Sequence, residues 1–253
     1  MSLVSVKNLT FVPQGALEPA LDSLSLSLPR GSRTLLIGAN GGQSLSPSRP
    51  KKLIISSKTA GKSTLLQVLA GKRLIKGADV TIKGLDVFYQ FPEGVTFLGT
   101  EWSVGPAINQ SRPIGFPPIS RVSRAMNPVV RGDILVSHFL DSVGGYRYKE
   151  RRDLLLDLLD IDLDWHMHNI SDGERRRVQL CMGLMAPWDV LLLDEVTVDL
   201  DVLVRHQLLE FLKNDSEARD ATIICTLLPF FPALIQISHP GFSRCHSHLR
   251  RFE

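Results

Sequence analysis

The sequence predicts an α/β fold, and three observations predict it. A short apolar strand, Arg33–Ile37 (RTLLI), runs into glycines at 38 and 41, and an amphipathic helix, Lys62–Leu69 (KSTLLQVL), opens on Gly61-Lys62-Ser63. Val190–Leu193 is a run of four apolar residues ending in Asp194-Glu195, the pattern of a buried strand that carries carboxylates to its C-terminal edge. Ser171-Asp172-Gly173 stands directly before a further helical pattern, Glu174–Met185, whose first turn is strongly basic (Arg175, Arg176, Arg177).

The remaining elements follow in order. Leu3–Phe11 (LVSVKNLTF) alternates apolar and polar residues as a half-buried strand does, and Leu24–Leu28 (LSLSL) repeats the pattern before a turn at Pro29-Arg30-Gly31. Val80–Ile82 and Val95–Leu98 are short strands. Val130–Leu140 and Arg151–Leu159 carry apolar residues three and four apart and predict helices. With Glu174–Met185 they make residues 125–185 a helical subdomain inside a domain spanning 1–225. Ser142–Tyr148 (SVGGYRY) is an interhelical turn, Leu203–Leu212 an amphipathic helix, and Thr222–Cys225 the start of a last strand.

The chain has 253 residues and 43% hydrophobic residues, enough for a sizeable core. Its three cysteines (Cys181, Cys225, Cys245) show no zinc or disulfide spacing, so reduced thiols in a cytoplasmic or nuclear protein are expected. The N-terminus lacks a charged leader with an apolar core. The longest apolar run, Ile223–Ile237, holds two prolines and falls short of a spanning helix, so no membrane segment is expected. The net charge of +3 is unevenly placed. Residues 42–59 carry +4, residues 103–124 carry +3 and residues 226–253 carry +2, which leaves the rest at −6. These three segments also hold nine of the fifteen prolines. An acidic body argues against direct nucleic-acid binding.

The glycine turn poses the main question. A phosphate-binding loop reads G-x-x-x-x-G-K-[ST]. Forward from Gly38 the second glycine should stand at Gln43, and back from Gly61 the first should stand at Ser56, so neither half suffices. Excising the 18 residues 42–59 joins them as GANG-AGKST, a full match. In that form the backbone N–H groups around Gly38, Asn40, Gly41 and Gly61 wrap phosphates at a helix N-terminus, where the dipole favours anions. Lys62 reaches the β and γ phosphates of ATP, Ser63 reaches Mg²⁺, and Thr64 adds a hydroxyl near the α-phosphate. A lysine in a serine-rich loop is the plainer reading of GKST alone. At the strand end, Asp194 would hold the Mg²⁺ shell and Glu195 would polarise the attacking water, against solvated acids in a turn. Phe11 is placed either to stack on adenine or in the core. His166 and His168, alternating around Met167, read as loop or packed histidines rather than a metal site, and the metal-like letters Cys245–His248 (CHSH) belong to the odd tail.

Ile170–Glu174 (ISDGE) resembles the LSGGQ signature of ATP-binding cassette (ABC) ATPases, with Ser171 and Gly173 matching and Asp172 and Glu174 departing. An N-cap serine is the plainer alternative. Its position about twenty residues before Asp194 favours the signature, and Val198-Asp199-Leu200-Asp201 resembles the D-loop. With NPVVRGDILV and GERRRVQLCMGLMAPWDVLLLDEVTVDLD, the chain resembles the small soluble ABC ATPases of subfamily I, which have one cassette and no membrane domain. The match covers residues 3–41, 60–102 and 125–225. This resemblance implies a P-loop NTPase fold of the ABC type with a helical subdomain. It also implies Mg²⁺-ATP bound and hydrolysed by a homodimer, in which the P-loop of one subunit closes on Ser171 of the other. The fungal member's association with the Ccr–Not complex implies a regulatory partner of that kind.

The departures matter. The family's Q-loop glutamine is absent, since FLGTEW offers Thr100 or Glu101, and its switch histidine is absent where Thr226-Leu227-Leu228 follow the last strand. His239, His246 and His248 lie beyond and have no claim to that role. The three basic, proline-rich segments read as translated introns at 42–59 and 103–124 and a read-through tail at 226–253, with real loop insertions as the alternative. Gly42 and Ala60 permit GT and AG splice edges. The chain as written is therefore expected to hydrolyse ATP poorly. Rival readings are an ATP-binding subunit of a transporter and a hydrolysis-deficient regulatory or scaffold protein.

Overall fold

The computed structural model describes residues 2–15, 19–36, 61–90, 92–99, 133–197 and 200–226. Several sequence readings lie outside the described residues: Gly38, Asn40 and Gly41, segments 42–59 and 103–124, Thr100 and Glu101, residues 130–132, Val198-Asp199, and the tail from 227 onward. The strands are β1 Ser2–Phe11, β2 Leu21–Pro29, β3 Arg33–Leu36, β4 Asp79–Ile82, β5 Leu85–Asp86, β6 Val95–Leu98, β7 Val190–Asp194 and β8 Thr222–Thr226. The helices of the described residues are α1 Gly61–Leu69, α2 Val136–Ser142, α3 Lys149–Leu159, α4 Asp172–Leu184 and α5 Val202–Arg219, with a 3-10 turn Gly145–Tyr148 between α2 and α3.

β1, β2, β4 and β5 form an antiparallel sheet in the order β2-β1-β4-β5. In β1, Val4, Val6 and Leu9 are all buried, although the step from 6 to 9 is odd and strict alternation would turn Leu9 outward. A register shift against β2 between Val6 and Leu9 absorbs the extra residue. Asn8 sits inside it at φ 49°, a left-handed conformation that asparagine tolerates better than most residues.

β3, β8, β7 and β6 form a second, parallel sheet in that order. Both its faces are covered. Val190, Leu192 and Ile224 pack with α1 and the antiparallel sheet, whereas Leu191, Leu193, Ile223 and Cys225 pack with the helices α2–α5. That double burial is why 190–193 reads as an unbroken apolar run. Because the strands are parallel, their C-terminal ends share one edge, and Leu36, Thr226 and Asp194 fall in one register row. In open sheets of this kind, ligands bind in the crevice outside that edge.

Several boundaries differ from the sequence reading, and three bear on the site or on the core. The helix expected at Val130–Leu140 begins only at Val136, because Leu135 pairs with His166 as an antiparallel bridge and is extended at ψ 143°. The helix read as Leu203–Leu212 runs from Val202 to Arg219. The Asp201 carboxylate caps its start by accepting from Val204 N at 2.9 Å, and Asp220 ends it in the left-handed region. Strand β8 includes Thr226, which the sequence reading assigned to the tail. Among the described residues, no helix is long and apolar enough to cross a membrane. Cys181 and Cys225 are buried free thiols, and burial pushes the pKa of each up to about 12.

Candidate functional site

The sheet edge assembles its polar groups from three elements. α1 packs against β7 and β8 and brings its first turn to the end of β7. There the Ser63 hydroxyl donates to Asp194 Oδ1 at 3.0 Å, across 131 residues of sequence. Asp194 is only 7% exposed, so its carboxylate needs these partners. The Thr226 hydroxyl supplies a second, donating to the same oxygen at 2.7 Å. Thr226 also accepts from the backbone N–H of Glu195 at 3.0 Å. One threonine at the end of β8 thus holds the Asp194 carboxylate and the backbone of Glu195.

Glu195 is solvent-exposed, and its backbone is held at φ 51°, a conformation that costs energy in a residue other than glycine. Lys62 is half-buried at the second position of α1, and Gly61 is buried at the first. Thr64 is buried, and its hydroxyl accepts from Arg73 Nη1 at 3.3 Å. The Arg73 guanidinium also lies 4.5 Å over the ring of Phe11. Phe11 is half-buried at the end of β1 and packs against the core, the second of its two sequence alternatives, while a cation covers one face of its ring. Arg73 bridges this ring to the start of α1, a link that no local pattern signals.

Ser63 and Asp194 fit a magnesium ion. Two oxygens at neighbouring corners of an octahedron of radius roughly 2.1 Å stand about 3 Å apart. Their observed separation is 3.0 Å, and both are hard oxygen donors. In that role Ser63 and Asp194 would hold the ion, and the ion would neutralise phosphate charge.

Ser171 and Gly173 lie on a different element, the N-terminus of α4. Ser171 closes a capping box: its side chain accepts from Glu174 N at 3.3 Å, and the Glu174 carboxylate accepts from Ser171 N at 2.8 Å and Ser171 Oγ at 2.7 Å. The hydrogen bonds from the Ser171 side chain and backbone hold the Glu174 carboxyl below its usual range. The plain N-cap role read from sequence is therefore present, and Ser171 remains solvent-exposed.

Three arginines at a helix start oppose the helix dipole, and each has a separate compensation. Arg175 donates to Asp172 at 2.7 Å and to the Ile170 carbonyl at 2.8 Å. Arg177 pairs with Asp160 at 3.1 Å and Asp201 at 2.8 Å. Arg176 is 3% exposed and donates to the carbonyls of Val196 and Gly99 and to the Gln179 side chain. It therefore ties α4 to residues just past the ends of β7 and β6. Sequence reasoning saw a basic turn and missed this buried cross-link, along with Thr226 and Arg73.

Known proteins share this chain's sequence and fold over most of its length. The family model described as "ABC transporter" matches residues 53–198. "CCR4-associated factor 16" of Saccharomyces cerevisiae is 37% identical over 237 residues, covering 87% of this chain and 68% of the relative. "ABC transporter I family member 21" of Arabidopsis thaliana is 40% identical over 213 residues, 82% of this chain, which spans 63% of that relative's length. Among solved structures, an ATP-binding subunit of an ABC transporter aligns with a TM-score of 0.61 at 19% identity, covering 90% of this chain and 80% of that one. A dimeric ATP-binding cassette bound to ADP and Pi aligns at 0.58 and 17% identity, covering 88% and 87%. At these identities the structural matches speak for the fold alone.

Proposed function

The chain belongs to the ABC transporter family of ATP-binding cassettes, and from that premise we propose that it binds Mg²⁺-ATP at the C-terminal edge of the β3-β8-β7-β6 sheet. The single observation that carries the proposal is the 3.0 Å approach of Ser63 Oγ to Asp194 Oδ1. In the proposal, Lys62 and the N-terminus of α1 hold the phosphates together with Gly38, Asn40, Gly41 and Gly61. Thr64 lies near the α-phosphate, and Phe11 with Arg73 marks the base-binding side. Glu195 polarises the attacking water.

The form without residues 42–59 and 103–124 hydrolyses ATP as a homodimer, in which Ser171 and Gly173 of one subunit close on the nucleotide of the other. A dimeric cassette is the state described for one structural neighbour. The turnover drives a conformational change in a partner, and the name of the yeast relative supports a Ccr–Not-type regulatory complex. A second reading is favoured by the interruption between Gly41 and Ala60 and by the absence of the family's switch histidine from Thr226-Leu227-Leu228: the chain as written binds nucleotide but turns it over poorly. It then acts through its surface alone.

Two measurements test this. Titration with a fluorescent ATP analogue should show Mg²⁺-dependent binding that Lys62→Ala abolishes, and equal binding by wild type and variant would refute the assignment. Tryptic peptides from cells should contain TLLIGANGAGK, which spans the join from Thr34 to Lys62, if the insertion is absent from the working protein. Abundant LIISSK, residues 53–58, would instead make the hydrolysis-deficient form the functional one.

A further inference from the structure

Asp133, His166 and His168 form a cluster outside the nucleotide site. It is built by backbone pairing. Leu135 and His166 make an antiparallel bridge, and Val136 N donates to Trp165 O at 2.8 Å while Met167 N donates to Ile134 O at 2.9 Å. In this register Asp133 stands opposite His168 and diagonal to His166. Residues two apart share a face of such a ladder, so all three side chains are placed on one side. Met167, between the histidines, is fully buried on the other.

Packing does not account for the two histidines, whose side chains are 44% and 36% exposed. Nδ1 of His166 lies 2.5 Å from Asp133 Oδ1, and Nδ1 of His168 lies 3.4 Å from the same oxygen. The three ligand atoms fall within 4.8 Å of one another.

We propose that Asp133, His166 and His168 form a surface site for a divalent transition metal of the Zn²⁺ class. Two imidazole nitrogens and one carboxylate oxygen suit zinc, whereas magnesium and calcium prefer all-oxygen ligands. Tetrahedral ligands at roughly 2.0–2.1 Å from zinc stand about 3.3 Å apart. The His168–Asp133 separation of 3.4 Å is already close to that value, and the His166–Asp133 separation of 2.5 Å is shorter and would lengthen on binding. The fourth position is open to water. The ion would cross-link the extended stretch before α2 to the turn before Ser171. Arg175 clamps that turn from its far end through the Ile170 carbonyl.

The test uses full-length, nucleotide-free protein titrated with Zn²⁺ against a chromophoric chelator. Wild type should bind one more equivalent than the double variant His166→Gln/His168→Gln. Cys245, His246 and His248 are common to both proteins and cancel. Equal stoichiometry would overturn the site. Asp133→Asn keeps both imidazoles and should weaken this equivalent about tenfold or more, since loss even of an outer-shell partner costs roughly 10–100-fold in metal affinity. Unchanged affinity in that variant would overturn the three-ligand set. In EDTA both variants should melt with wild-type cooperativity, because all three side chains are exposed.

Discussion

Replacing Asp215 by asparagine should lower stability by an amount that depends on pH in a defined direction. Asp215 lies on α5, and its side chain is 10% exposed. Arg151 from α3 donates to its two oxygens at 2.8 and 2.6 Å, and Arg219 donates at 3.0 and 2.5 Å. Arg151 goes on to the Leu184 carbonyl at 2.7 Å, and Arg219 to the Trp188 carbonyl at 2.8 Å. This carboxylate therefore organises a joint between α3, the end of α4 and the segment entering β7.

Burial pushes the Asp215 carboxyl up, but the hydrogen bonds and charges of Arg151 and Arg219 outweigh it and hold the group at about 2, below its ordinary value of 3.8. A group depressed on folding contributes stability above its unfolded value and loses it as pH falls through its folded value. Depression of this size corresponds to about 2 kcal/mol at pH 7, of which about half remains at pH 3. Urea unfolding of wild type and Asp215→Asn at pH 7, 5, 4 and 3 should show a gap of about 2 kcal/mol that is constant down to about pH 5 and narrows below it. A gap absent at pH 7, or one that widens as pH falls, would refute the reasoning.

Three further outcomes follow from the same contacts. Thr226→Val removes the donor to Asp194 and the acceptor for Glu195 N inside a buried row, and should cost about 1–3 kcal/mol in chemical denaturation, with Thr226→Ser restoring most of it. Ser171→Ala loses the cap of α4 and should cost about 1 kcal/mol, while Ser171→Thr, which keeps the hydroxyl that donates to Glu174, should retain most of the stability. A methyl group on Gly183 would meet Leu98 Cδ2 at 2.3 Å, where α4 packs on β6. Gly183→Ala should therefore destabilise by about 1–3 kcal/mol, and Leu98→Ala in the same chain should recover part of it.

Much of the frame was readable from neighbours along the chain. The apolar run ending in Asp194-Glu195 marked the central strand because both faces of β7 are buried. The first turn of α1 announced itself through Gly61-Lys62-Ser63, and Ser171 read as an N-cap serine, which the structure shows closing a capping box with Glu174. Boundaries failed where distant pairing decided them. Leu135 favours a helix by local pattern, yet its bridge to His166 keeps it extended.

Local periodicity, caps and turn residues act over a few residues, and the sequence by itself therefore determined the element types, the ABC resemblance and the candidates Lys62, Ser63 and Asp194. Which side chains meet depends on strand order and register, and those are set by burial of whole faces. Tertiary structure alone placed Thr226 against Asp194, 32 residues away in sequence. It set Arg73 between Phe11 and Thr64, buried Arg176 between two strand ends, and brought Asp133 to the histidines. No window of the chain contains those meetings, because they exist only once β8 lies between β3 and β7 and the helices close over the sheet.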